Sequence, residues 1–154
     1  MNISIGQAYR AYQKNIDKKL ETFYGPINDK PIFGINEETW KRYINTRYDR
    51  QFTATDSVDK DNSRVIAYTS VSIDIPNAIA HMGVVSIDNS YKGNKIEQNL
   101  IEEAEGYIRS LHIGKVRVSM LYDDIVSRNI YENIGYRIIY VNQLDNELEL
   151  IKYI

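Results

Sequence analysis

Cysteine is absent from this 154-residue sequence, which also has only three prolines and one tryptophan. The lack of cysteine excludes disulfide bonds, thiol catalysis and thiolate metal sites together. No apolar run is long enough to span a bilayer, and residues 1–4 lack the basic and apolar segments of a signal peptide. We therefore expect a cytoplasmic location and no membrane partner.

A strong excess of charge of one sign is also missing. The net charge is −2, so nucleic acid is not an expected partner. The two histidines, His81 and His112, are separated by a predicted helix and make a poor ligand set, so we predict no metal site. Neither a serine nucleophile elbow nor a Walker-type loop occurs. The length, with 43% apolar and 26% charged residues, fits a single globular domain over residues 1–154.

The first fifty residues carry helix signals. Ser4-Ile5-Gly6-Gln7 has the spacing of a capping box, and apolar residues then recur at three- and four-residue steps as far as Phe23. Gly25-Pro26 would end that helix, and Asn36 would cap a second one. The second helix has an apolar, mainly aromatic face, formed by Trp40, Tyr43, Ile44 and Tyr48. Core packing is the favoured interpretation of this face, and a ligand wall is the alternative.

Strand signals and turns alternate in the middle of the chain. Residues 51–56 and 64–74 are strand candidates, the second rich in Val, Ile, Thr and Tyr, and the polar run 57–63 predicts a hairpin turn between them. Ile75-Pro76-Asn77 then turns the chain, because proline cannot donate to a strand ladder. Residues 78–87 are predicted to return as one continuous strand.

The second half of the chain predicts a βαβ crossover. Residues 96–111 form an amphipathic helix, for which Gly114 is the natural C′ residue, and residues 116–121 alternate as in a strand. Asp124 can cap a helix over residues 125–134, and strands follow at residues 136–141 and 147–154. Because a helix joins the strands that begin near Ala78 and Lys115, those two strands should run parallel.

The loop at the start of this crossover is a candidate anion site. The strand end Val84-Val85-Ser86-Ile87 leads through residues 88–95 into the helix that begins at Ile96. The first amides of a helix have no partner within it, and the helix dipole favours negative charge at that end. The sequence therefore predicts a phosphate-type site between this strand and this helix.

This order of elements resembles the core of the GNAT N-acetyltransferases, which transfer an acyl group from acyl-CoA to an amine. Val85-Ser86-Ile87 resembles the end of the family's CoA-binding strand, and Lys92-Gly93-Asn94-Lys95-Ile96-Glu97 resembles its pyrophosphate loop, Arg/Gln-x-x-Gly-x-Gly/Ala. Tyr131-Glu132-Asn133-Ile134-Gly135-Tyr136 matches the family's Tyr-Glu-x-x-Gly-Phe/Tyr segment. The resemblance covers the chain from about Phe52 to the C-terminus. It implies an α/β, three-layer fold whose mixed, mostly antiparallel sheet is splayed where the two parallel strands part.

The pyrophosphate loop is degenerate at two positions. Lys95 and Glu97 stand where the family has Gly and Gly/Ala, which let the backbone approach the diphosphate closely. Lys92 keeps a positive charge at the Arg/Gln position, whereas Glu97 adds bulk and a negative charge.

The resemblance implies a role for particular residues. Tyr131 corresponds to the tyrosine that protonates the CoA thiolate, and His81 stands near the place of the glutamate that many members use as base; a histidine titrates near neutral pH. A strand amide near Val85 would bind the oxyanion. The residues implied to contact acetyl-CoA are Val85, Ile87, Lys92, Gly93, Asn94, Lys95, Glu97 and Asp124.

Structural alternatives remain open for the same residues. His81 could be a hydrogen-bonded strand residue, and Tyr131 an aromatic packed between helix and sheet. The loop lysines could form a solvated turn, and a helix cap explains Asp124 equally well. His112 is interpreted as stabilising the C-terminal dipole of the central helix.

We therefore predict an N-acetyltransferase that transfers an acetyl group from acetyl-CoA to an amine of a small molecule or a peptide. The alternative is a GNAT-like protein that has lost CoA binding and acts as a binding or regulatory module. The sequence identifies neither the acceptor nor the oligomeric state, and a homodimer stays open.

Overall fold

The computed structural model describes residues 3–9, 50–57 and 63–154. The strands in this part of the chain are β1 (Ile3–Tyr9), β2 (Arg50–Ser57), β3 (Ser63–Asp74), β4 (Ile79–Met82), β5 (Ser86–Ile87), β6 (Lys115–Leu121), β7 (Arg137–Asn142) and β8 (Glu147–Tyr153). The helices are α1 (Ile96–Ser110) and α2 (Ile125–Asn133), and a short 3-10 helix covers Asn89–Tyr91.

The strands form one open mixed sheet in the order β1-β2-β3-β4-β6-β8-β7, with β5 paired to β3 beside β4. Only β4 and β6 pair in parallel in the described sheet, and all other neighbours are antiparallel. The connection between β4 and β6 is α1, as the crossover pattern predicts. The predicted α/β class with a mixed, mostly antiparallel sheet and a central βαβ unit is confirmed.

The parallel pair is short, and the sheet opens beyond it. β4 pairs with β6 from Ala80 opposite Val116 to Met82 opposite Val118. β6 then continues to Leu121, beyond the last residue that pairs with β4. After Met82 the chain follows β3 as β5 and no longer follows β6. The two parallel strands therefore part at Met82 and Val118, which leaves a cleft between their carboxyl ends.

Residues 78–87 do not form the single strand that their composition predicts. Met82 lies opposite Val71 of β3, but Ser86 lies opposite Tyr68, so four steps on one strand match three on the other. The extra residue is a β-bulge at Gly83-Val84-Val85, between β4 and β5. Glycine inside a strand pattern is a signal for such an interruption. The bulge turns the chain away from β6 at the place where the cleft opens.

Both described helices pack on the same face of the sheet. The apolar stripe of α1 is buried and forms one core with the alternate strand residues that face it; the cluster includes Ala80, Met82, Val116, Val118, Leu148, Leu150, Leu100, Ile101, Ala104 and Ile108. Tyr131 of α2 and Tyr136 belong to the same cluster. α2 connects β6 to β7 with β8 lying between them, which is a second crossover in the same direction along the sheet. Neither described helix is long and apolar enough to cross a membrane.

The predicted helix start at residues 4–7 is wrong, because these residues belong to β1. That strand pairs with β2 from Ile3 opposite Asp56 to Tyr9 opposite Arg50. A strand ladder satisfies backbone groups along seven residues, whereas a capping box satisfies two amides, so pairing outweighs the local signal. The rest of this predicted helix and all of the second one lie in residues 10–49, outside the described residues. The predicted hairpin turn is described only at its ends, where Ser57 lies opposite Ser63.

The C-terminus of α1 also differs from the prediction. His112, not Gly114, has the left-handed conformation that follows the helix, with φ 59°. Its amide donates to the Arg109 carbonyl at 2.9 Å, and the Ile113 amide donates to the Ile108 carbonyl at 3.4 Å. This is a Schellman-type ending. Ile113 is buried in the core, and its burial places the turn two residues earlier than glycine alone would suggest.

Candidate active site

Tyr131 points its hydroxyl into the bulge beside the cleft. Its side chain is 1% exposed, and its hydroxyl donates to the Gly83 carbonyl at 3.3 Å and lies 4.0 Å from the Met82 sulfur. The ring meets Tyr136 edge to face, with centroids 5.2 Å apart. Burial raises the pKa of Tyr131, and a hydrogen bond with the Val85 backbone opposes that rise in part. The phenol therefore keeps its proton at neutral pH and can donate it.

The Gly83 carbonyl accepts a second, shorter hydrogen bond. The hydroxyl of Thr69, on β3, donates to it at 2.6 Å, and the Gly83 amide donates to the Ser70 carbonyl at 2.8 Å. Thr69 is 1% exposed. Gly83 and Thr69 are site residues that the sequence analysis did not identify. A glycine within a strand pattern was a signal for the first, but nothing local marks a threonine on a neighbouring strand.

The loop before α1 has the backbone shape of an anion cradle. Gly93 and Lys95 have positive φ angles of 88° and 60°, and Lys95 is the N-cap residue of α1 without a side-chain cap. Alternation of left-handed and right-handed residues turns successive amides to one side, which favours anions. Lys95 adopts a conformation that costs a non-glycine residue free energy. The exposed residues Lys92, Gly93, Asn94 and Lys95 thus lie together at the helix N-terminus.

Side chains around the loop fix its position. The Tyr91 hydroxyl donates to the Asp56 carboxylate of β2 at 2.5 Å, and this bond to a carboxylate raises the pKa of Tyr91. The Asp88 carboxylate accepts from the Ser90 amide at 3.0 Å, and the Asn94 side-chain amide donates to the Tyr91 carbonyl at 2.9 Å. The first contact connects the loop to the end of β2, and the other two stabilise the loop internally.

Glu97 lies in the first turn of α1 and is 9% exposed. Its position on the helix coincides with the buried stripe, since Ile101, Ala104 and Ile108 follow at steps of three and four residues and are all buried. In the part of the chain that the structure describes, no cation or hydrogen-bond donor pairs with its carboxylate. A poorly solvated negative charge therefore lies at the helix end that should attract an anion.

His81 and Tyr131 lie on opposite faces of the sheet. Tyr131 contacts Met82, whose side chain faces α1, and alternation along β4 directs the preceding His81 to the other face. His81 is half-buried and lies in register between Ser72 of β3 and Arg117 of β6. The histidine and the tyrosine therefore approach the cleft from its two sides and do not contact each other.

The remaining predicted residues divide between the cleft and its walls. Val85 lies in the bulge and is buried, and Ile87 pairs with Ala67 of β3 in β5. Asp124 is the N-cap of α2, and its carboxylate accepts from the Ser127 amide at 3.1 Å. The cap is thus a demonstrated role of Asp124, and a contact with acetyl-CoA stays a prediction. No group of three or more His, Asp or Glu residues within the described ranges could hold a metal ion.

A cavity of about 350 Å³ opens on the side of the sheet away from α1. Its lining comes from the carboxyl end of β6 and the facing parts of β8 and β7: Ser119, Met120, Tyr140, Glu147, Leu148 and Glu149. The Ser119 hydroxyl donates to Glu149 at 3.3 Å. Ser119 directly follows Val118, the last residue of β6 that pairs with β4, so the cavity begins where the cleft opens.

A short parallel pair, a bulge at its end and a loop that leads into a helix N-terminus are the features of the GNAT N-acetyltransferase fold, and this chain has that fold. No family model matches the sequence, and no curated protein matches it. Solved structures of similar fold match over nearly the whole chain, and three of them serve as examples. Arabidopsis thaliana NAA60 in complex with acetyl-CoA has a TM-score of 0.65 at 12% identity, with 99% of each chain covered.

The other two are bacterial and archaeal. A GNAT-family acetyltransferase from Staphylococcus aureus has a TM-score of 0.65 at 13% identity, with 98% of each chain covered. The PaiA N-acetyltransferase from Thermoplasma acidophilum, in complex with coenzyme A, has a TM-score of 0.63 at 15% identity, with 100% of each chain covered. The identities are low, so the similarity lies in the backbone and establishes the fold.

Proposed function

We propose that this protein is an N-acetyltransferase that transfers the acetyl group of acetyl-CoA to an amine of a small molecule or a peptide. The observation that carries the proposal is the Tyr131 hydroxyl, buried at the bulge and beside the open end of the parallel pair. A protonated phenol beside such a cleft can donate its proton to the thiolate that leaves when the thioester is cleaved. The structures of similar fold with acetyl-CoA or coenzyme A bound support the choice of donor.

The reaction requires four contributions from this chain. The acceptor nitrogen bonds to the acetyl carbon while the carbon–sulfur bond breaks, and the nitrogen gives up a proton. His81, on the face opposite α1, would take that proton directly or through water. A bulge amide near Val85 would stabilise the oxyanion, and Tyr131 would protonate the sulfur. Lys92, Gly93, Asn94 and Lys95 would contact the diphosphate, and Val85, Ile87 and Asp124 would line the path of the pantetheine.

Thr69 makes the proton transfer from Tyr131 less costly. If Tyr131 redirects its hydroxyl to a sulfur, the Gly83 carbonyl loses one donor. A buried carbonyl without a partner costs about 1–3 kcal/mol. The Thr69 hydroxyl continues to satisfy that carbonyl at 2.6 Å. Tyr131 can therefore leave Gly83 without an orphaned polar group.

One observation favours the alternative, a GNAT-fold module without CoA binding. Glu97 places a poorly exposed carboxylate, which has no partner among the described residues, at the first turn of α1. Like charges at short range in such a site oppose diphosphate binding. The acetyltransferase proposal therefore includes weak binding of acetyl-CoA.

Calorimetric titration with acetyl-CoA separates the two candidates. Weak binding, with release of coenzyme A in the presence of an amine, would support the enzyme. Absence of both heat and thermal shift at millimolar acetyl-CoA would favour the module. The variant Tyr131→Phe should lower kcat by roughly tenfold to a hundredfold, with little change in the Kd of acetyl-CoA, since a proton donor acts in the transition state. Tyr153→Phe, which alters an exposed tyrosine at the end of β8, is the matched control.

A further inference from the structure

A buried carboxylate outside the candidate active site connects α1 to the segment that follows α2. Glu105 is 2% exposed, and its carboxylate accepts a hydrogen bond from the Tyr136 hydroxyl at 2.8 Å. Lys152 of β8 places its ammonium group 3.1 Å from Oε1 and 3.0 Å from Oε2 of the same carboxylate. The Arg109 guanidinium, one turn further along α1, lies 3.9 Å from Oε1. Both oxygens of Glu105 therefore have a donor.

Stability alone does not account for the burial of this carboxylate. Removal of a charged group from water carries a large desolvation cost, and apolar residues of similar volume often stabilise a protein as well as a buried ion pair does. A phenylalanine ring could also pack at the position of Tyr136 without a hydroxyl. A hydrogen bond has a preferred geometry, which apolar packing lacks. The bond between Glu105 and Tyr136 therefore gives the Tyr136 ring a defined position.

Tyr136 in turn contacts Tyr131 in two ways. The two rings meet edge to face, with centroids 5.2 Å apart and planes at 83°, which is a favoured arrangement of aromatic pairs. The Tyr136 amide also donates to the Tyr131 carbonyl at 3.0 Å. Within α2, all of whose residues the structure describes, only Tyr131 is buried. The direction of the Tyr131 phenol therefore depends strongly on the ring against which it packs.

α1 connects this contact to the loop that would hold acetyl-CoA. Glu105 follows Lys95, the N-cap of α1, by ten residues, which is about 15 Å along the helix. Glu105 also acts on Tyr131 through its charge, because burial is the main cause of the raised pKa of Tyr131 and the negative charge of Glu105 adds to that rise. One helix therefore relates the diphosphate loop to the proton donor.

We propose that Glu105 is a positioning residue for proton transfer from Tyr131 and acts through the Tyr136 hydroxyl. The inference rests on the proposed acetyltransferase function. When the carbon–sulfur bond of acetyl-CoA breaks, the sulfur keeps the electron pair and takes the proton of the Tyr131 hydroxyl. The tyrosinate regains a proton from solvent before the next turnover. Glu105 exchanges no proton with the coenzyme; it fixes the Tyr136 ring, which keeps the Tyr131 phenol directed at the bulge.

Three substitutions test this role in steady-state kinetics. Tyr136→Phe removes the hydroxyl and keeps the ring, and it should lower kcat about threefold to tenfold with an unchanged Kd for acetyl-CoA. Glu105→Leu should lower kcat by a similar factor. Glu105→Gln, whose amide oxygen can still accept the hydrogen bond, should keep kcat within about twofold of the unmodified protein. Tyr153→Phe, which removes an exposed hydroxyl of β8, is the matched control.

A Tyr131→Phe background separates positioning from a general structural role. Without the Tyr131 hydroxyl, Tyr136→Phe should lower kcat no further. A further loss of the same size there would overturn the proposal, as would an unchanged kcat in the Tyr136→Phe single variant. Equal losses in Glu105→Gln and Glu105→Leu would overturn it in favour of an effect of charge. If Glu105→Leu does not fold, Tyr136→Phe, which keeps the ion pair of Glu105 and Lys152, decides alone.

Nuclear magnetic resonance of the Tyr131 ring distinguishes failure of this inference from failure of the proposed function. With carbon-13 at the ε positions of tyrosine, a ring held in one orientation gives two signals, and a ring that flips rapidly gives one averaged signal. The unmodified protein should show two signals for Tyr131, which are identified by their loss in Tyr131→Phe, and Tyr136→Phe should merge them. If no amine is acetylated, the acetyltransferase proposal fails, and the spectrum alone decides whether Glu105 positions Tyr131. The same signals for Tyr131 with and without the Tyr136 hydroxyl would refute the inference.

Discussion

Removal of the Glu97 carboxylate should strengthen the binding of acetyl-CoA. Glu97 is 9% exposed, lies in the first turn of α1 and has no partner in the described chain, so water and counter-charges screen it poorly. The diphosphate of acetyl-CoA would approach the same helix end. Two unit charges 6–10 Å apart interact by about 2–3 kcal/mol at an effective dielectric constant of about 20.

The expected gain follows from that magnitude. After allowance for salt, a relief of about 1–3 kcal/mol corresponds to an affinity for acetyl-CoA that is about fivefold to 150-fold higher. Glu97→Gln removes the charge and keeps the bulk, whereas Glu97→Ala removes both. If charge is the obstacle, the two variants should gain similarly. If bulk is the obstacle, only the alanine variant should gain.

Calorimetry at low and at physiological salt measures the effect. The gain for Glu97→Gln should shrink as salt rises, because salt screens a charge but not a steric contact. Glu103→Gln removes an exposed carboxylate from the same helix and serves as the control for net charge. The reasoning would be refuted by an affinity that stays unchanged in both Glu97 variants.

Three further predictions concern the loop, the bulge and the buried tyrosines. Lys95→Gly should raise the free energy of unfolding in urea by about 0.5–1 kcal/mol, because glycine tolerates the positive φ of 60° at this position. Gly93→Ala, at φ 88°, should lower the free energy of unfolding. Changes of the same sign in the two variants would contradict this reasoning. Thr69→Val should lower kcat about tenfold with unchanged KM, and Thr69→Ser should restore kcat. In a Tyr131→Phe background, Thr69→Val should lower kcat no further. A loss of the same size in that background would show that the role of Thr69 is only structural. Burial raises the pKa of Tyr131 and Tyr136, so the folded protein keeps these protons where the unfolded chain loses them, above about pH 10. The free energy of unfolding should therefore be retained below about pH 10 and fall above it, by up to about 1.4 kcal/mol per pH unit for each tyrosine. Thermal unfolding measured between pH 8 and 11 should show a shallower decline in stability for Tyr131→Phe than for the unmodified protein.

The cavity beside the cleft depends on contacts between strands that are not adjacent in sequence. Ser119, Tyr140 and Glu149 are neighbours because β8 inserts between β6 and β7. Nothing in the local pattern of residues 136–154 shows that α2 spans this extra strand. Thr69 is a similar case, because only the pairing of β3 with the bulge brings its hydroxyl to Gly83.

The errors in the predicted secondary structure also arise because contacts between distant residues outweigh local sequence signals. Ser4-Ile5-Gly6-Gln7 has a genuine helix-start pattern, but the ladder with β2 satisfies more backbone groups than a cap can. Gly114 is a natural helix terminator, but burial of Ile113 requires the left-handed turn at His112. The break of residues 78–87 at Gly83 depends on the divergence of β4 from β6, which is a property of the whole sheet.

By itself, the sequence determined the βαβ unit, the bounds of α1 and α2 within one residue, and the strands of the second half. Periodicity and caps are local, so residues near in sequence are enough to specify them. The sequence also identified the side chains of the loop, including Lys95 and Glu97, which differ from the GNAT loop pattern. Only the tertiary structure decided that Tyr131 meets Gly83, that His81 faces the other side, and that Glu147 and Glu149 share a cavity. These relations arise from strand pairing and burial, which no short stretch of sequence encodes.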